Sequence, residues 1–466
     1  MKVFRRGVGL LILAVALVAA LLLWWAVSAS APAGRPPERG VAFGLGEVLY
    51  DLHWPPLGFL LASVTLALVF ALGVSFVEKR IATGARRSNA PDRLPLAPRV
   101  VMAQTRGHFA GPVTINVLIP AHNEAERIGA TLESLRAQSR GPDRIIVVAD
   151  NCTDETVAIA QAAGVEVFET VGNVHKKAGG LNQALKALLP TLGDNDTVMV
   201  MDADTVLDQG FLAEADRRMT DDRALMSIGG LFYGEDGAGV IGQYQRNEYT
   251  RYARDLRRRR GMVFVLTGTA SIFRARALRT VAEQRGSLLP GIPGDVYDTL
   301  ALTEDNELTI ALKSLGALII SPNECTVVTE VMPTWRQLWV QRLRWQRGAL
   351  ENIGAYGLRW QTWRYWVQQL GICYGVIALL GYLGMLGITV LALDEWVWFP
   401  FWLGIGLVFM VERVWTVRKG GWRAVLLAAL VIPELLYATF LGLVYLKGIW
   451  DITFNRAAAW HAGEPA

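Results

Sequence analysis

Five long apolar stretches constrain the fold of this chain more than any other feature of its sequence. They cover residues 7–27, 57–77, 366–393, 396–411 and 424–446, and the fourth is the shortest. About 20 apolar residues in an α-helix cross the roughly 30 Å hydrocarbon core of a bilayer. The stretches therefore predict two transmembrane helices before, and three after, one large polar segment. Of all residues 52% are hydrophobic and 19% are charged, which agrees with a membrane protein and excludes a disordered chain.

The positions of Lys and Arg predict the orientation of these helices, because positive charge concentrates on the cytoplasmic side of membrane spans. Lys2, Arg5 and Arg6 precede the first stretch, and Lys79 and Arg80 follow the second. We therefore expect a multi-pass protein of the cell inner (plasma) membrane whose large polar segment is cytoplasmic. A cleaved signal peptide is an alternative for the first stretch, since small residues follow it at 29–33. The orientation of the rest is the same in either case.

Charge and metal-ligand content exclude several classes of function. The net charge is +4, from 46 Lys and Arg against 42 Asp and Glu, so we expect no nucleic-acid partner. The 3 cysteines form no Cys-x-x-Cys pair and the 5 histidines no His-x-x-x-His pair, so neither a disulfide framework nor a zinc site is predicted. No P-loop signature is present, and no Gly-x-Gly-x-x-Gly motif follows the first predicted strand, so neither a P-loop nor a dinucleotide-binding fold is predicted.

Short β-branched apolar runs alternate with helical stretches between residues 99 and 315. The runs cover residues 113–119, 144–149, 165–170 and 197–201. This alternation predicts an α/β fold with a mainly parallel sheet covered by helices. Polar clusters follow three of the runs, at 120–124, 150–154 and 202–204. Since open α/β sheets bind ligands at the carboxyl ends of their strands, we expect these clusters to meet in one crevice.

Asp202 and Asp204 are the candidates for a metal site beside phosphate groups. They follow a strongly apolar run and are separated by one residue. Two carboxylates in this arrangement can hold Mg²⁺ or Mn²⁺ next to a diphosphate. An Asp-x-Asp pair is common by chance, and a solvated turn is the alternative, but the placement after a buried strand favours the metal site. Lys176 and Lys177 precede a loop that enters a helix, where cationic side chains and free N–H groups would also suit phosphate, with a pair of solvated lysines as the alternative.

An amphipathic helix is predicted over residues 335–353. Its apolar side chains share one face, interrupted by Arg342 and Gln346, so we expect it to lie in the membrane interface. Gln341 and Arg344 point away from that face, with Trp345 at its border. An Arg and a Trp beside an acidic crevice would suit a diphosphate and a sugar ring. The alternative is an interface helix whose basic residues only reach towards headgroups.

The chain resembles the membrane-bound processive family-2 glycosyltransferases, which include cellulose, chitin, hyaluronan and poly-N-acetylglucosamine synthases. The resemblance runs from residue 116 to residue 352 and rests on motifs that occur in the family's order and spacing. These are Pro120-Ala121-His122-Asn123-Glu124, Asp150, Lys177-Ala178-Gly179-Gly180-Leu181-Asn182, Asp202-Ala203-Asp204, Thr303-Glu304-Asp305 and Gln341-Arg342-Leu343-Arg344-Trp345. It implies a GT-A-like, nucleotide-sugar-binding α/β domain inserted between transmembrane helices.

The resemblance also implies roles for individual residues. Asp150 and Glu124 would hold the uridine half of a UDP-sugar, and Asp204 with Asp202 would reach its diphosphate through Mg²⁺ or Mn²⁺. Asp305 would be the general base. The remaining catalytic candidates are Glu304, Arg344, which would neutralise the departing diphosphate, and Trp345, which would stack on the acceptor sugar. The remaining substrate-binding candidates are Pro120, Ala121, Asn123, Lys177, Gly268, Thr269, Gln341 and Arg342.

The resemblance implies an inverting enzyme that extends a β-linked polysaccharide, with poly-N-acetylglucosamine favoured, and moves it across the membrane. The alternative is a single-transfer enzyme that glycosylates a membrane lipid. The corresponding domains are two helices with an external connection (1–78), the glycosyltransferase domain (79–333), interface helices (334–365), three transmembrane helices (366–447) and a short tail (448–466). The expected partners are the UDP-sugar, the polysaccharide acceptor and the bilayer. The sugar, the linkage and any accessory export or synthase subunit are left open by the sequence.

Overall fold

The computed structural model describes residues 113–258, 261, 263–392 and 397–456, together with 37–42, 46–51, 94–97 and isolated positions before residue 66. The first two predicted membrane stretches therefore lie outside the described residues, apart from those isolated positions. The same holds for residues 259–260 and for residues 457–466.

The described strands and helices alternate through the polar segment. The strands are β1 (Glu38–Ala42), β2 (Gly46–Tyr50), β3 (Ile115–Ala121), β4 (Arg144–Ala149), β5 (Glu166–Glu169), β6 (Thr197–Met201), β7 (Val206–Leu207), β8 (Leu225–Gly229), β9 (Leu231–Gly234), β10 (Ala270–Arg274), β11 (Leu318–Ile320), β12 (Thr326–Thr329) and β13 (Val397–Trp398). The helices are α1 (Ile128–Arg136), α2 (Thr156–Ala162), α3 (Lys176–Leu188), α4 (Phe211–Asp221), α5 (Gly239–Arg258), α6 (Ala275–Gln284), α7 (Glu304–Ser314), α8 (Trp335–Tyr356), α9 (Trp363–Ala392), α10 (Pro400–Val417), α11 (Gly421–Ala429) and α12 (Val431–Thr453).

A seven-stranded sheet forms the centre of the domain, in the order β11-β8-β10-β6-β3-β4-β5. Neighbouring strands are parallel except for β10, which is antiparallel to both β6 and β8. The predicted α/β fold with a mainly parallel sheet is confirmed. Two small sheets accompany it, in the orders β7-β12-β9 and β1-β2-β13.

The central strands are apolar throughout because helices cover both faces of the sheet. Every residue of β6 is buried. Alternate residues of one strand point to opposite faces, so Leu118 of β3 packs in one hydrophobic cluster and its neighbours Val117 and Ile119 pack in the other. Such runs are typical of strands buried on both faces, which explains why the sequence shows them so clearly.

The apolar carboxyl-terminal half is helical, and two of its described helices are long and apolar enough to cross a membrane, at Trp363–Gly384 and Val431–Thr453. Helix α9 contains the predicted stretch at 366–393 up to Ala392, and α10, which begins at Pro400, contains the rest of the stretch at 396–411. The stretch at 424–446 differs from the prediction, because it is divided at Leu430 into α11 and α12. Pro433 explains the break. In a continuous helix it could donate no N–H to the carbonyl of Ala429, and its ring would clash with that carbonyl, whereas proline is tolerated in the first turn of a new helix.

Helix α8 is more enclosed by protein than its predicted place in the membrane interface requires. It packs against α12 and against α7 of the domain. Leu338, Leu350 and Ile353 of its predicted apolar face are buried in the protein, and Arg342 is only 2% exposed. The helix therefore joins the sheet domain to the apolar helices.

Candidate active site

The polar clusters that follow β3, β4 and β6 meet at one edge of the sheet, as their parallel direction requires. The N–H of Asp150 donates to the carbonyl of Ala121 over 2.9 Å, and the N–H of Asp202 donates to the carbonyl of Thr269 over 3.1 Å. The Nδ1 atom of His122 lies 2.6 Å from the carbonyl oxygen of Asp150. The loop before β10, which contains Gly268 and Thr269, thus joins the same crevice.

Lys177, in the first turn of α3, joins two acidic segments of the crevice. Its ammonium lies 2.6 Å from Oδ1 of Asp202 and 2.9 Å from Oε1 of Glu304. Burial opposes the charged form, but both carboxylates outweigh it and raise the pKa of Lys177 well above its usual value. Burial likewise opposes ionisation of Glu304, yet Lys177 lowers the pKa of that carboxyl. The pair is therefore an ammonium and a carboxylate.

Asp305 lies beside this pair, next to Gly268. The N–H of Gly268 donates to Oδ2 of Asp305 over 3.1 Å. A methyl group added at Gly268 would lie 3.4 Å from Asp305 Oδ2, 3.4 Å from Lys177 Nζ and 3.6 Å from Asp202 Oδ2. The absence of a side chain at Gly268 thus leaves space that three charged groups border.

The pKa values of the crevice acids are perturbed in the range useful for proton transfer. Burial, followed by the negative charge of Glu304, raises the pKa of Asp305 to about 6. Burial and the charge of Asp204 raise the pKa of Asp202 to about 6, although Lys177 acts in the opposite direction. Buried carboxyls with raised pKa values in a cleft are characteristic of functional sites.

A second group of acids surrounds Asp204. Burial and then the charge of Asp204 raise the pKa of Glu124 to about 7. Burial raises the pKa of Asp204 itself, and the charge of Glu330 adds to the shift. Glu330 also pairs with Arg127, Oε1 to Nη2, over 3.0 Å. Glu330 was not predicted from the sequence. It directly follows a strand, β12, as Asp202 directly follows β6, so the same pattern could have indicated it.

Asp202 and Asp204 fit a divalent cation by their donor chemistry, although the described residues contain no ready-made group of three or more His, Cys, Asp and Glu ligands. Mg²⁺ is commonly held by one or two carboxylates together with substrate phosphates and water. The raised pKa values of both aspartates show that their negative charges are incompletely compensated by the protein. The residues present therefore suit a metal that arrives with a phosphate-bearing substrate.

Asp150 and Asn123 are held in place on the far side of the crevice. Oδ1 of Asp150 accepts from Thr170 Oγ1 over 2.7 Å and from Asn173 Nδ2 over 2.8 Å. Asn123 adopts a left-handed backbone with φ of 58°, and its Oδ1 accepts from the N–H of Thr153 over 2.8 Å. Pro120 and Ala121 complete the end of β3, with Ala121 buried. These four predicted residues thus lie at one edge of the sheet.

Of the two predicted arginines of α8, the structure brings one to the acids. Burial raises the pKa of Glu304, whereas Lys177 lowers it, and the charge of Arg344 adds a smaller effect that also lowers it. Arg342 instead donates from Nη2 to Oε2 of Glu248 on α5 over 3.0 Å, and its guanidinium lies 4.3 Å from the ring centre of Trp345.

Gln341 is buried in part, and its Oε1 has no hydrogen-bond partner among the described residues. Trp345 is half-buried beside the Arg342 guanidinium. Neither residue makes a contact with Asp305 that the structure shows. Their predicted roles at the substrate stay predictions.

Helix α8 lies tightly against the segment that carries Asp305. Asn352 Nδ2 donates to the carbonyl of Thr303 and to Oδ1 of Asn306, each over 3.1 Å. A methyl group at Gly348 would lie 2.4 Å from Oγ1 of Thr303. Only glycine therefore allows this approach without a shift, and the position of α8 determines that of the acids.

Replacing Gly348 with Ala should displace Thr303 and so misplace Glu304 and Asp305. We expect turnover at this candidate active site to fall at least about tenfold, because small errors in the placement of reacting groups are costly. Overpacking should also cost about 1–3 kcal/mol of stability. The control is Gly129→Ala in α1, where no atom lies within 4 Å of the added methyl group. Wild-type kcat in the Gly348→Ala protein would show that α8 does not position the acids.

Tyr297, and the hydrogen bonds by which Asn182 holds its backbone, were not predicted from the sequence. Oδ1 of Asn182 accepts from the N–H groups of Val296 and Tyr297 over 3.0 and 2.9 Å, and its Nδ2 donates to the carbonyl of Tyr297 over 2.9 Å. Tyr297 lines a small cavity together with Lys177 and Asp305. The signal for Asn182 was its place in the motif that begins at Lys177.

Comparison with known proteins identifies the domain that carries this crevice. Residues 116–282 match the family model "Glycosyl transferase family 2". The chain is 26% identical over 255 residues to the "Probable glycosyltransferase YdaM" of Bacillus subtilis (strain 168), a match that covers 50% of this chain and 54% of that relative. It is 37% identical over 71 residues to a "4,4'-diaponeurosporenoate glycosyltransferase" of Staphylococcus aureus (strain bovine RF122 / ET3-1), covering 15% of this chain and 19% of that protein.

Two solved structures are similar at low identity. A mannosyltransferase, PcManGT from Pyrobaculum calidifontis in complex with GDP-Man and Mn²⁺, is 15% identical with a TM-score of 0.47, covering 83% of this chain and 99% of that chain. Glucosyl-3-phosphoglycerate synthase from Mycobacterium tuberculosis in complex with Mn²⁺, UDP and phosphoglyceric acid is 19% identical with a TM-score of 0.35, covering 56% and 83%.

The matched region begins in β3 and ends in α6, so it contains Asp150, Lys177, Asp202 and Asp204. It therefore includes most of the crevice and six of the seven strands of the sheet that carries it, all except β11. Asp305 and helix α8 follow the matched region. The chain spans about half of its YdaM relative.

Proposed function

We propose that this chain uses its GT-A-like glycosyl transferase family 2 domain to transfer sugar, with inversion, from a UDP-sugar to a growing β-linked polysaccharide. Poly-N-acetylglucosamine or a related hexosamine polymer is the favoured product. The observation that carries the proposal is the arrangement around Gly268, where Asp305, Lys177 and Asp202 border one space. An ionisable carboxyl, a cation and a candidate metal ligand are the groups that such a transfer needs at one point.

In this mechanism Asp305 is the base and the acceptor hydroxyl is the nucleophile. The hydroxyl oxygen bonds to the anomeric carbon as the bond from that carbon to the diphosphate oxygen breaks, and the hydroxyl proton passes to the Asp305 carboxylate. One displacement inverts the centre, so an α-linked donor gives a β-linkage. Arg344 and Lys177 supply positive charge for the departing UDP. Glu304, paired with Lys177, holds that ammonium in place.

The metal and nucleotide ends of the donor would be held by the other residues of the crevice. Asp204 and Asp202 would bind Mg²⁺ or Mn²⁺, which when bound neutralises diphosphate oxygens. Asp150 and Glu124 would hold the uridine half. The three hydrogen bonds that Oδ1 of Asp150 accepts, from Asn151, Thr170 and Asn173, keep its carboxylate in a fixed position. Trp345, Gln341 and Arg342 would order the acceptor side.

The rate of transfer should fall as the pH is lowered through about 6, because the pKa of Asp305 is raised to about 6 and its protonated form cannot accept the hydroxyl proton. Above that pH the rate should reach a plateau. Asp202 titrates in the same range, so kcat is measured at saturating Mn²⁺, which keeps Asp202 ionised. A rate that does not change across this pKa would contradict the assignment of Asp305 as base.

The membrane arrangement belongs to the same proposal. Residues 1–78 and 366–447 would anchor the domain of residues 79–333 to the inner membrane, with the domain in the cytoplasm and residues 334–365 between them. The two long apolar helices and the packing of α8 between α12 and α7 support this arrangement. Glu434, at the start of α12, accepts from Arg251 Nη2 over 2.5 Å, so this acid ties the apolar helices to α5. Accessory export or synthase subunits would act on the emerging product.

A single transfer to a membrane lipid is the second candidate. It is supported by the relative named 4,4'-diaponeurosporenoate glycosyltransferase, whose name specifies 4,4'-diaponeurosporenoate and not a polysaccharide. The crevice chemistry would be unchanged, since any hydroxyl held beside Asp305 could be the nucleophile. The two candidates differ in the size and solubility of the product.

In the test, the purified full chain in lipid is given UDP-N-acetylglucosamine, UDP-glucose or UDP-glucuronic acid. GDP-mannose is the control for the choice of nucleotide. UDP or GDP release is measured, and radiolabelled product is separated by size and by extraction into organic solvent. Labelled product of high molecular mass from UDP-N-acetylglucosamine alone is the expected result. Label that stays small and enters the solvent would replace the polymer with a glycolipid, and release from GDP-mannose only would contradict the UDP-sugar donor.

A further inference from the structure

A second binding site is indicated by an open cleft of about 1270 Å³ between α5 and the connection from α10 to α11. Among the described residues that line this cleft, Asp236 is the one acidic side chain. Six of the lining side chains are cationic: Arg246, Arg254, Arg257, Arg418, Lys419 and Arg423. Neither Asp305 nor Asp202 lines it, so the cleft is separate from the candidate active site.

Among the described residues, most of the cations that line the cleft form no ion pair with a carboxylate. Arg246 donates from Nη1 to two backbone carbonyls, each over 2.9 Å. Arg257 donates to a tyrosine hydroxyl over 2.7 Å, and Arg418 to a backbone carbonyl over 2.9 Å. These partners are neutral, whereas Arg254 lies 3.5 Å from the carboxylate of Glu412. An anion in the cleft would therefore meet several guanidinium groups with their full charge.

Two helix N-termini add to this field. The first turns of α5, at Gly239 and Val240, and of α11, at Gly421 and Trp422, line the cleft. The N-cap of α11 is Gly420, which offers no side-chain acceptor to the free N–H groups of the first turn. Such N–H groups and the positive end of the helix dipole favour phosphate. Two independent features, side-chain charge and backbone N–H groups, thus indicate the same ligand chemistry.

The rim of the cleft is apolar and open to the surroundings. Trp422 is 71% exposed, and Leu426 and Leu430 are each 51% exposed. All three belong to α11 or directly follow it, immediately before the long apolar helix α12. A basic pocket beside exposed Trp and Leu side chains is the combination that anionic membrane surfaces bind, with the apolar side chains at the boundary between headgroups and acyl chains.

We propose that this cleft binds the phosphate group of an anionic phospholipid of the cytoplasmic leaflet, a location that rests on the membrane arrangement of the proposed function. The cations and the helix N-termini contact the phosphate, and the rim formed by Trp422, Leu426 and Leu430 contacts the acyl chains. A soluble phosphate compound would use the same cations but not the rim. Lipid bound here holds α5 and α11, and with them the domain, at the membrane surface.

The test measures lipid bound to the purified full chain in detergent by native mass spectrometry, with phosphatidylglycerol and phosphatidylcholine as probes and glycerol 3-phosphate as the soluble probe. The cleft variant combines Arg418→Gln, Lys419→Gln and Arg423→Gln, all exposed positions. The control variant removes the same charge outside the cleft. It combines Arg136→Gln, Arg144→Gln and Arg217→Gln. A third variant, Arg418→Lys with Arg423→Lys, retains the charge of the cleft.

We expect the cleft variant to bind phosphatidylglycerol roughly 10- to 100-fold more weakly, because each basic residue near a membrane surface contributes appreciably. The control and the Lys variant should bind it as the wild type does. Equal loss in the control, or equal binding of phosphatidylcholine by the wild type, would overturn the proposal. Glycerol 3-phosphate binding as tightly as phosphatidylglycerol would make the ligand a soluble phosphate and would also overturn it. Since lipid binding needs no sugar transfer, a chain that binds lipid but releases no UDP would contradict only the proposed function.

Discussion

Replacing Asp305 with Asn should abolish sugar transfer while leaving donor binding nearly intact. The amide keeps the size of the side chain but cannot take the hydroxyl proton, and general-base catalysis contributes about 10²- to 10⁴-fold to a rate. Asp305 accepts the N–H of Gly268 on Oδ2 and the N–H of Asn306 on Oδ1. The one amide oxygen of Asn can keep the bond from Gly268, so the loop should keep its place, and the bond from Asn306 is lost. The measurements are UDP release for transfer and calorimetric titration with the UDP-sugar for binding.

Two further variants make this result decisive. Asp221→Asn changes an exposed carboxylate of α4 and should leave kcat unchanged. Glu304→Gln tests the neighbouring acid. Lys177 lowers the pKa of Glu304 although burial opposes this, so Glu304 is the weaker base. Glu304→Gln should reduce transfer because it removes a carboxylate that holds the Lys177 ammonium in place. The dependence of the transfer rate on pH should not change. Full transfer in Asp305→Asn with none in Glu304→Gln would move the base to Glu304.

The strands that could be predicted from the sequence are parallel strands whose apolar, β-branched run stands between polar turns. The runs at 144–149 and 197–201 coincide with β4 and β6, because continuous apolar residues between polar turns leave little choice of boundary. The antiparallel strand Ala270–Arg274 was not predicted. Its direction depends on pairing with β6 and β8, strands that are distant in sequence, and no local pattern encodes that pairing.

The break between α11 and α12 had a local signal that hydropathy obscured. An apolar run long enough to span a membrane predicts one helix, yet Pro433 removes a backbone donor and ends the preceding helix at Ala429. The first helix, α11, is then short and lies beside α5. Hydropathy measures whether a segment prefers an apolar medium, and it does not detect where a helix must end.

In the crevice, the sequence indicates which residues meet but not how they pair. The carboxyl ends of parallel strands bring Asp150 and Asp202 to one edge, so these residues could be predicted from topology. The bridge from Lys177 to Glu304 depends on how α7 lies against α3, and that depends on α8 packing at Gly348. The same packing sets the rotation of α8, which places Arg342 against Glu248 and Arg344 near Glu304. The helical pattern separates the two arginines, since Arg342 interrupts the apolar face and Arg344 points away from it, but it does not give the partner of either.

Replacing Asp204 with Ala should remove both the activity and its response to added Mg²⁺ or Mn²⁺. Among the described residues, the hydrogen bond shown for the Asp204 carboxylate is the one from Thr205, over 3.1 Å, so the fold should survive the loss. Burial and, to a smaller extent, the charge of Asp204 raise the pKa of Glu124. Removing the Asp204 carboxylate should therefore lower the pKa of Glu124 and should not destabilise the metal-free protein. The wild-type protein should gain thermal stability when the metal is added with UDP, and Asp204→Ala should not.

The neighbouring acid distinguishes a metal ligand from a general requirement for negative charge. Glu330 lies close enough to Asp204 to raise its pKa, but it is paired with Arg127. Glu330→Gln therefore lowers the charge of the same region and leaves the Asp202 and Asp204 carboxylates in place. We expect this variant to keep its metal response in both activity and thermal stability. If Asp204→Ala still shows metal-dependent turnover and Glu330→Gln does not, the metal is held by Glu330, and the Asp-x-Asp pair serves to position Lys177 through Asp202.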